Sequence, residues 1–207
     1  MIKSEIKKNF ETRMLDKLVS LYSTKDIVKA LSFKDCLRLA YFLMYNERWD
    51  SCLQEYAVLL LYEIQTFFQE EWNSSWEYDA LLGLACYLVC KYDERYEAYN
   101  SAFKKTNKPP PSLLIELARC CICPGTPPIS YDDAIALVKK AIEKTPYTDG
   151  IGLLSHIYAL KDDKENEEYW TNILKKSKPE FISPSIEPKF LVEEYLQEKN
   201  AKQPKTL

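Results

Sequence analysis

Glycine is nearly absent from this chain, with four residues in 207. Loops that cradle phosphate groups need glycine where the backbone closes on the ligand, and the sequence has no Gly-x-Gly-x-x-Gly or Gly-Lys-Ser/Thr run. Nucleotide-binding loops therefore have nothing to be built from. Histidine is scarcer still: His156 is the one residue of its type, so Ser-His, Cys-His and multi-histidine metal chemistries would all have to converge on it. A basic excess is missing as well. The formal net charge is −3 and the pI about 5.4, whereas a duplex-binding surface needs a cationic stripe to displace counterions, and no nucleic-acid partner is expected. Long apolar runs are absent. The most apolar stretch, Tyr56 to Phe68, is interrupted by Glu63 and Gln65 and is too short to span a bilayer comfortably, so it reads as a buried helix. The first eight residues are charged and lack a signal-peptide core. Seven cysteines, an odd number without framework spacing, suit a reducing compartment, and a cytoplasmic location is the expectation.

What is present is enough to fold. Hydrophobic residues make up 46% and charged residues 29%, a balance that buries a core and is unlike that of a disordered chain. Helical periodicity dominates. Ile6, Phe10, Met14, Leu18, Leu21 and Tyr22 recur at three- and four-residue spacing as one apolar face of a first helix. Ser23 and Thr24 are N-cap candidates for a short helix from Lys25 to Leu31. Paired helical segments follow at about 33–46 and 49–70, 76–90 and 93–106, 111–123 and 131–145, 150–161 and 164–178. Breakers fall between them: Pro109 to Pro111, Pro124 to Pro128, Pro146 and Pro179. Pro188 stands where proline opens a helix well, ahead of Phe190, Leu191 and Leu196. No stretch alternates at period two, and the expected class is all-α.

The paired segments share a pattern. Leu39-Ala40, Leu82-Gly83, Leu117-Ala118 and Leu154-Ser155 each set a large apolar residue beside a small one, at steps of 43, 35 and 37 residues. In three of the pairs an aromatic opens the second helix: Trp49, Tyr92 and Tyr131. Small or apolar residues follow, namely Cys52, Tyr56 and Leu59, then Ala98, Tyr99 and Ala102, then Ala134 and Ala141 before Pro146; the last pair offers Tyr158 and Leu174 before Pro179. Two helices approach to about 8–10 Å only where the crossing side chains are small. On these residues the chain resembles the tetratricopeptide repeat family, over about residues 33–181 and as about four degenerate repeats. Arg95 stands where that family prefers alanine, the tryptophan of its first helix is missing, and an insert runs from Cys123 to Ser130. The resemblance implies an α-solenoid of antiparallel helix hairpins. Residues 1–32 would form an N-terminal helical cap, 33–181 the repeats, 182–199 a C-terminal capping helix and 200–207 a disordered tail.

Candidate chemistry is sparse. Cys86 and Cys90 are four apart, and Cys120, Cys121 and Cys123 cluster one repeat later; by register Cys86 and Cys121 are equivalent, so a four-thiolate zinc site and ordinary core packing both fit. The lack of paired Cys-x2-Cys knuckles favours packing, and neither a metal nor another cofactor is expected. Two further features read as surface. Glu70-Glu71 and Asp162-Asp163 are solvated pairs at helix ends, without the separation or pocket that catalytic carboxylates need. No catalysis is expected.

The aromatic load, 13% with 15 tyrosines, points to a binding surface instead. In the resembled family the first helix of each repeat lines an inner groove. Here those positions carry Arg38, Tyr41 and Tyr45, then Leu84, Tyr87 and Leu88, then Arg119, with His156 on the inward face of the fourth hairpin. Tyrosine and arginine are over-represented at protein–protein hot spots. The competing reading packs these rings against neighbouring repeats or against terminal helices lying in the groove, and leaves His156 solvated or locally hydrogen-bonded. Leu37, Tyr41 and Leu81 occupy the places of a family lysine–asparagine carboxylate clamp and cannot supply its charged donors. The expected function is thus an adaptor or chaperone-like scaffold whose concave face binds a partner peptide or helix, apolar or aromatic in character. The alternatives are a dedicated single-partner binder, such as a secretion chaperone or antitoxin-type inhibitor, and a structural subunit of a larger complex.

Overall fold

A computed structural model of the protein describes residues 2–46 and 50–202. The chain is all-α: among the described residues every regular element is helical and none is a strand. None of the described helices is long and apolar enough to cross a membrane. The chain divides into two compact units, one of Met1–Lys91 with Glu187–Leu207, the other of Tyr92–Ile186.

The first unit opens with α1 (Ile2–Glu11) and α2 (Leu15–Leu21), where periodicity predicts one continuous helix. The break is at Arg13, whose φ of 55° is left-handed. The amides of Arg13 and Met14 close on the carbonyls of Phe10 (3.1 Å) and Asn9 (2.9 Å), the paired bonds of a Schellman cap. The Arg13 guanidinium holds the turn by donating to the Phe10 carbonyl at 3.0 Å. In consequence Ile6, Phe10 and Leu18 are buried while Met14 and Leu21 face out.

Helices α3 (Thr24–Ala30) and α4 (Phe33–Met44) begin with the same device. The hydroxyls of Ser23 and Ser32 accept from the amides of Asp26 and Asp35, three residues on. Next come α5 (Ser51–Phe67), capped by Asp50, the short α6 (Gln69–Asn73) and α7 (Trp76–Leu88), capped by Ser75. Trp49, expected to open the second helix of the first pair, lies outside the described residues. Helix α5 touches α2, α3, α4, α6 and α7, and its Leu53, Ala57, Val58, Leu60, Leu61 and Ile64 are all buried. An apolar surface on more than one side is what a helix with so many neighbours needs. The extension toward Trp76 is a second turn of helix, pinned by Trp72, which is 1% exposed and whose indole donates to Asp79 at 2.9 Å.

The second unit holds α8 (Tyr92–Lys105), α9 (Pro111–Arg119), α10 (Tyr131–Ile142), α11 (Thr148–Leu160) and α12 (Lys164–Lys176). Helix α9 packs on α8, α10 and α11, α10 on α11, and α11 on α12. Its helical hydrogen bonding gives way to a tighter turn at Cys120–Ile122, short of the expected end at Cys123. Ala102, Ala118, Ala134 and Ala141 are buried. Gly150 marks a close approach: a Cβ there would meet Ile142 Cγ2 at 2.7 Å. Asp162 takes φ 55° and closes the α11 end, the amides of Asp162 and Asp163 reaching the carbonyls of Ala159 and Tyr158. The Asp163 carboxylate then caps α12 through the Asn166 amide at 3.2 Å. The acidic pair is thus a stop and a start for helices.

Helix α13 (Lys189–Lys202) belongs to the first unit, where it packs on α4. The Pro188 carbonyl accepts from Leu191 at 2.9 Å and Val192 at 3.4 Å. The helix starts later than residue 182 and runs through 200–202, which were expected in the tail; 203–207 lie outside the described residues.

Candidate binding surface

Three of the expected contact residues, Arg38, Tyr41 and Tyr45, fall three and four positions apart along α4 and its C-cap, and so share one face. That face is covered. The Tyr41 and Tyr45 hydroxyls donate to one oxygen of Glu187, at 2.8 and 2.6 Å. Arg38 forks onto Glu194 through Nε (2.5 Å) and an amino group (2.7 Å), while its other amino group holds Asp35 at 2.8 Å. Further along α13, Glu198 pairs with Arg13, whose guanidinium lies 4.4 Å from the Phe42 ring centroid. Tyr195 donates to the Tyr45 carbonyl at 3.0 Å and sets its ring 5.7 Å from that of Tyr41 and 5.8 Å from that of Tyr45.

Electrostatics follow from the geometry. Burial, and then the adjacent Glu187 carboxylate, push the Tyr41 phenol well above its usual value, so it remains a donor. The bidentate Glu194 contact raises Arg38, against the lowering effect of burial. Apolar attachment is thin by comparison. Leu191 is buried at 2%, whereas Leu196 is half exposed at 50%.

Beside this contact the first unit keeps a cavity of about 570 Å³, lined among others by Met14, Phe42, Tyr45, Leu53, Tyr195 and Lys199. The expected set did not include Arg13, Glu187, Glu194, Tyr195 or Glu198. Glu194 and Glu198 stand four apart on a helix stripe, a spacing that presents two carboxylates to one partner; that stripe was the available signal.

Leu84, Tyr87 and Leu88 form a second stripe, on α7. Tyr87 is 47% exposed and the two leucines are half-buried. Arg119 and His156 belong to the second unit. Arg119 Nε pairs with Glu116 at 3.1 Å, and His156 is exposed on α11. Leu37 and Leu81, the two clamp-position leucines, are fully buried in the core.

The departure at Arg95 has a structural counterpart. This side chain is 2% exposed within the second unit, where its guanidinium meets Glu116 at 2.9 Å and Cys123 Sγ at 3.7 Å, 5.5 Å from the Tyr99 ring centroid. Glu116 is therefore shared between a buried and a half-exposed arginine. Cys36, Cys86, Cys120, Cys121 and Cys123 are buried, while Cys52 and Cys90 are exposed. Burial pushes the thiols of Cys36 and Cys120 up to about 12 and that of Cys121 to about 11, which keeps them protonated and unreactive. Among the described residues no three His, Cys, Asp or Glu side chains are grouped to hold a metal ion.

Compared with family models, curated proteins and solved structures, the chain matches none.

Proposed function

We propose that this chain is a protein-binding module of tetratricopeptide-like helix hairpins, an adaptor or chaperone-like scaffold without catalysis of its own. The hairpin part of the reading is supported by the order of packing in the second unit, where each helix from α8 to α12 rests on its sequence neighbour and α9 also touches α11. Buried small residues such as Ala118, Ala134 and Ala141 support it too, since they permit close crossings.

The observation that carries the binding function is the α4 face. Arg38 holds a helix there, and Tyr41 and Tyr45 hold the residue just ahead of it, through directional, charge-assisted bonds, which supports helix recognition by this surface. The stripe of Leu84, Tyr87 and Leu88 adds area in which a rigid aromatic serves as an anchor. The test is a pull-down from the native host with mass spectrometry, followed by affinity measurements on Tyr45→Ala and Tyr87→Ala, each checked for folding by circular dichroism. Loss of about 2 kcal/mol or more in either folded variant supports an interface on these helices. Unchanged affinity in both moves it elsewhere on the chain.

A further inference from the structure

We propose that the α4 face of the first unit is the acceptor for an acidic helix of another protein, that α13 occupies it as an internal stand-in, and that a bulky apolar side chain of the incoming helix fills the cavity beside Tyr195. This deepens the protein-binding reading and rests on it.

Charge complementarity identifies the occupant. The face offers Arg13, Arg38 and the hydroxyls of Tyr41 and Tyr45, and each of these groups is met by a carboxylate of the C-terminal segment, Glu187, Glu194 or Glu198. A helix seated here needs carboxylates at that spacing. The apolar or aromatic partner expected from sequence gives way, on this face, to an acidic one with an apolar anchor.

The stand-in fits imperfectly. Its charged contacts are about a third exposed at their side chains, so water and salt compete with them. Leu191 is the buried leucine of α13, and Leu196 stays half in solvent. Next to Tyr195, about 570 Å³ is left, its walls part apolar (Phe42, Leu53) and part charged (Asp16, Lys17, Glu198), and α13 places the charged Lys199 along it. A partner helix carrying phenylalanine or leucine at the position of Lys199 keeps the carboxylate contacts and gains an anchor that α13 lacks. Being tethered, α13 competes at high effective concentration, so the face opens for a partner that binds it better and stays closed to weak ones.

The experiment uses the full chain and two fluorescein-labelled peptides of residues 184–202, one of natural sequence and one carrying K199F. Binding is read by fluorescence anisotropy on the wild-type chain and on a Glu194→Ala/Glu198→Ala variant whose α13 is loosened. The expected results are affinity at least tenfold tighter for the loosened variant than for wild type. K199F should bind at least tenfold tighter than the natural peptide, and binding should be lost when Arg38→Ala is added. Equal affinity for wild type and loosened chains, or no gain from K199F, overturns the proposal. Should the loosened variant fail to fold, hydrogen exchange on the wild-type chain decides instead. Saturating K199F peptide must accelerate exchange in α13 without accelerating it in α5, and unchanged exchange in α13 overturns the proposal. A host partner retained through Tyr87 while both peptides fail sinks this acceptor alone. A host pull-down without any partner counts against the broader binding reading.

Discussion

Two glycines on α11 allow the packing of the second unit to be tested by a difference. Gly150 and Gly152 lie in the same helix, so replacing either by alanine brings the same gain in helix propensity, about 1 kcal/mol. Their surroundings are not the same. A Cβ on Gly150 would come within 2.7 Å of Ile142 Cγ2 and 3.2 Å of Ile115 Cδ1, whereas the nearest atom to one on Gly152 is Leu174 Cδ2 at 3.8 Å. The second distance is ordinary contact. The first forces Ile142 to move, and Cγ2 sits directly on a β-branched carbon with few alternative rotamers. Overpacking of this kind costs about 1–3 kcal/mol, so Gly150→Ala should end up neutral to destabilised by about 2 kcal/mol. Gly152→Ala should stabilise by about 0.5–1 kcal/mol. Urea denaturation followed by circular dichroism, with equal slopes in both variants, reads the difference. A Gly150→Ala protein as stable as Gly152→Ala, or more so, would show that α9, α10 and α11 do not meet at Gly150.

Other expectations concern the core and the caps. Glu116→Ala leaves the buried Arg95 without its carboxylate and should destabilise by about 3 kcal/mol, while Arg95→Leu, which removes the charge itself, should be markedly milder in the same melts. Equal losses would mean that the ion pair is not what holds this corner. Ala141→Leu should cost about 1–3 kcal/mol through overpacking, and a neutral result in denaturant melts would misplace the α10 contact. Cys90 holds a left-handed φ of 59° at the α7 cap and is exposed, so Cys90→Gly should stabilise by about 0.5 kcal/mol, and a destabilised variant would contradict the cap. The buried thiols are raised in the folded state, so their contribution is complete below about pH 8.5, the unfolded thiol value, and is lost as pH climbs toward about 11 to 12. Urea midpoints should fall from pH 8 to pH 10, and fall less in a Cys36→Ala/Cys120→Ala/Cys121→Ala variant; an equal fall assigns the loss to other groups.

Local signals were legible in the sequence, and contacts between distant segments were not. Helix starts were readable because Ser23, Ser32 and Ser130 each accept from an amide three residues on, and Pro111 opens α9. Ala40, Ala102, Ala118, Ala134 and Ala141, singled out by their spacing as small residues beside large ones, are all buried. The break between α1 and α2 was hidden, since Arg13 takes a left-handed conformation that composition assigns to glycine. Leu59, counted from Trp49, was expected at a contact and is 54% exposed; α5 turns a different side to its neighbours than that spacing implied. That Arg38, Tyr41 and Tyr45 share a face was legible from their spacing, and a terminal helix was one of the covers considered. The residues that meet them were not legible, because Glu187 lies 146 residues beyond Tyr41 and periodicity carries no information over that distance. Arg95 reads as a defect in a repeat until Glu116, 21 residues later, is seen beside it.

Those missed contacts also indicate where the chain can change. The ion pairs holding α13 are each worth at most about 1 kcal/mol at this exposure, and burying Leu191 adds about 2 kcal/mol. Against that stands the ordering of a helix too polar to be stable alone, since an isolated helix of about 12–15 residues is marginal in water. The Tyr195 ring and hydroxyl contacts add to the attachment, yet α13 still has fewer neighbours than α5, which is clasped on several sides and should open less readily. Salt shifts this balance directly. Raising ionic strength screens the two arginine–carboxylate pairs while leaving the apolar core intact. On the proposed reading, a surface that recognises its own helix by charge exchanges it for another without disturbing the fold that presents the surface.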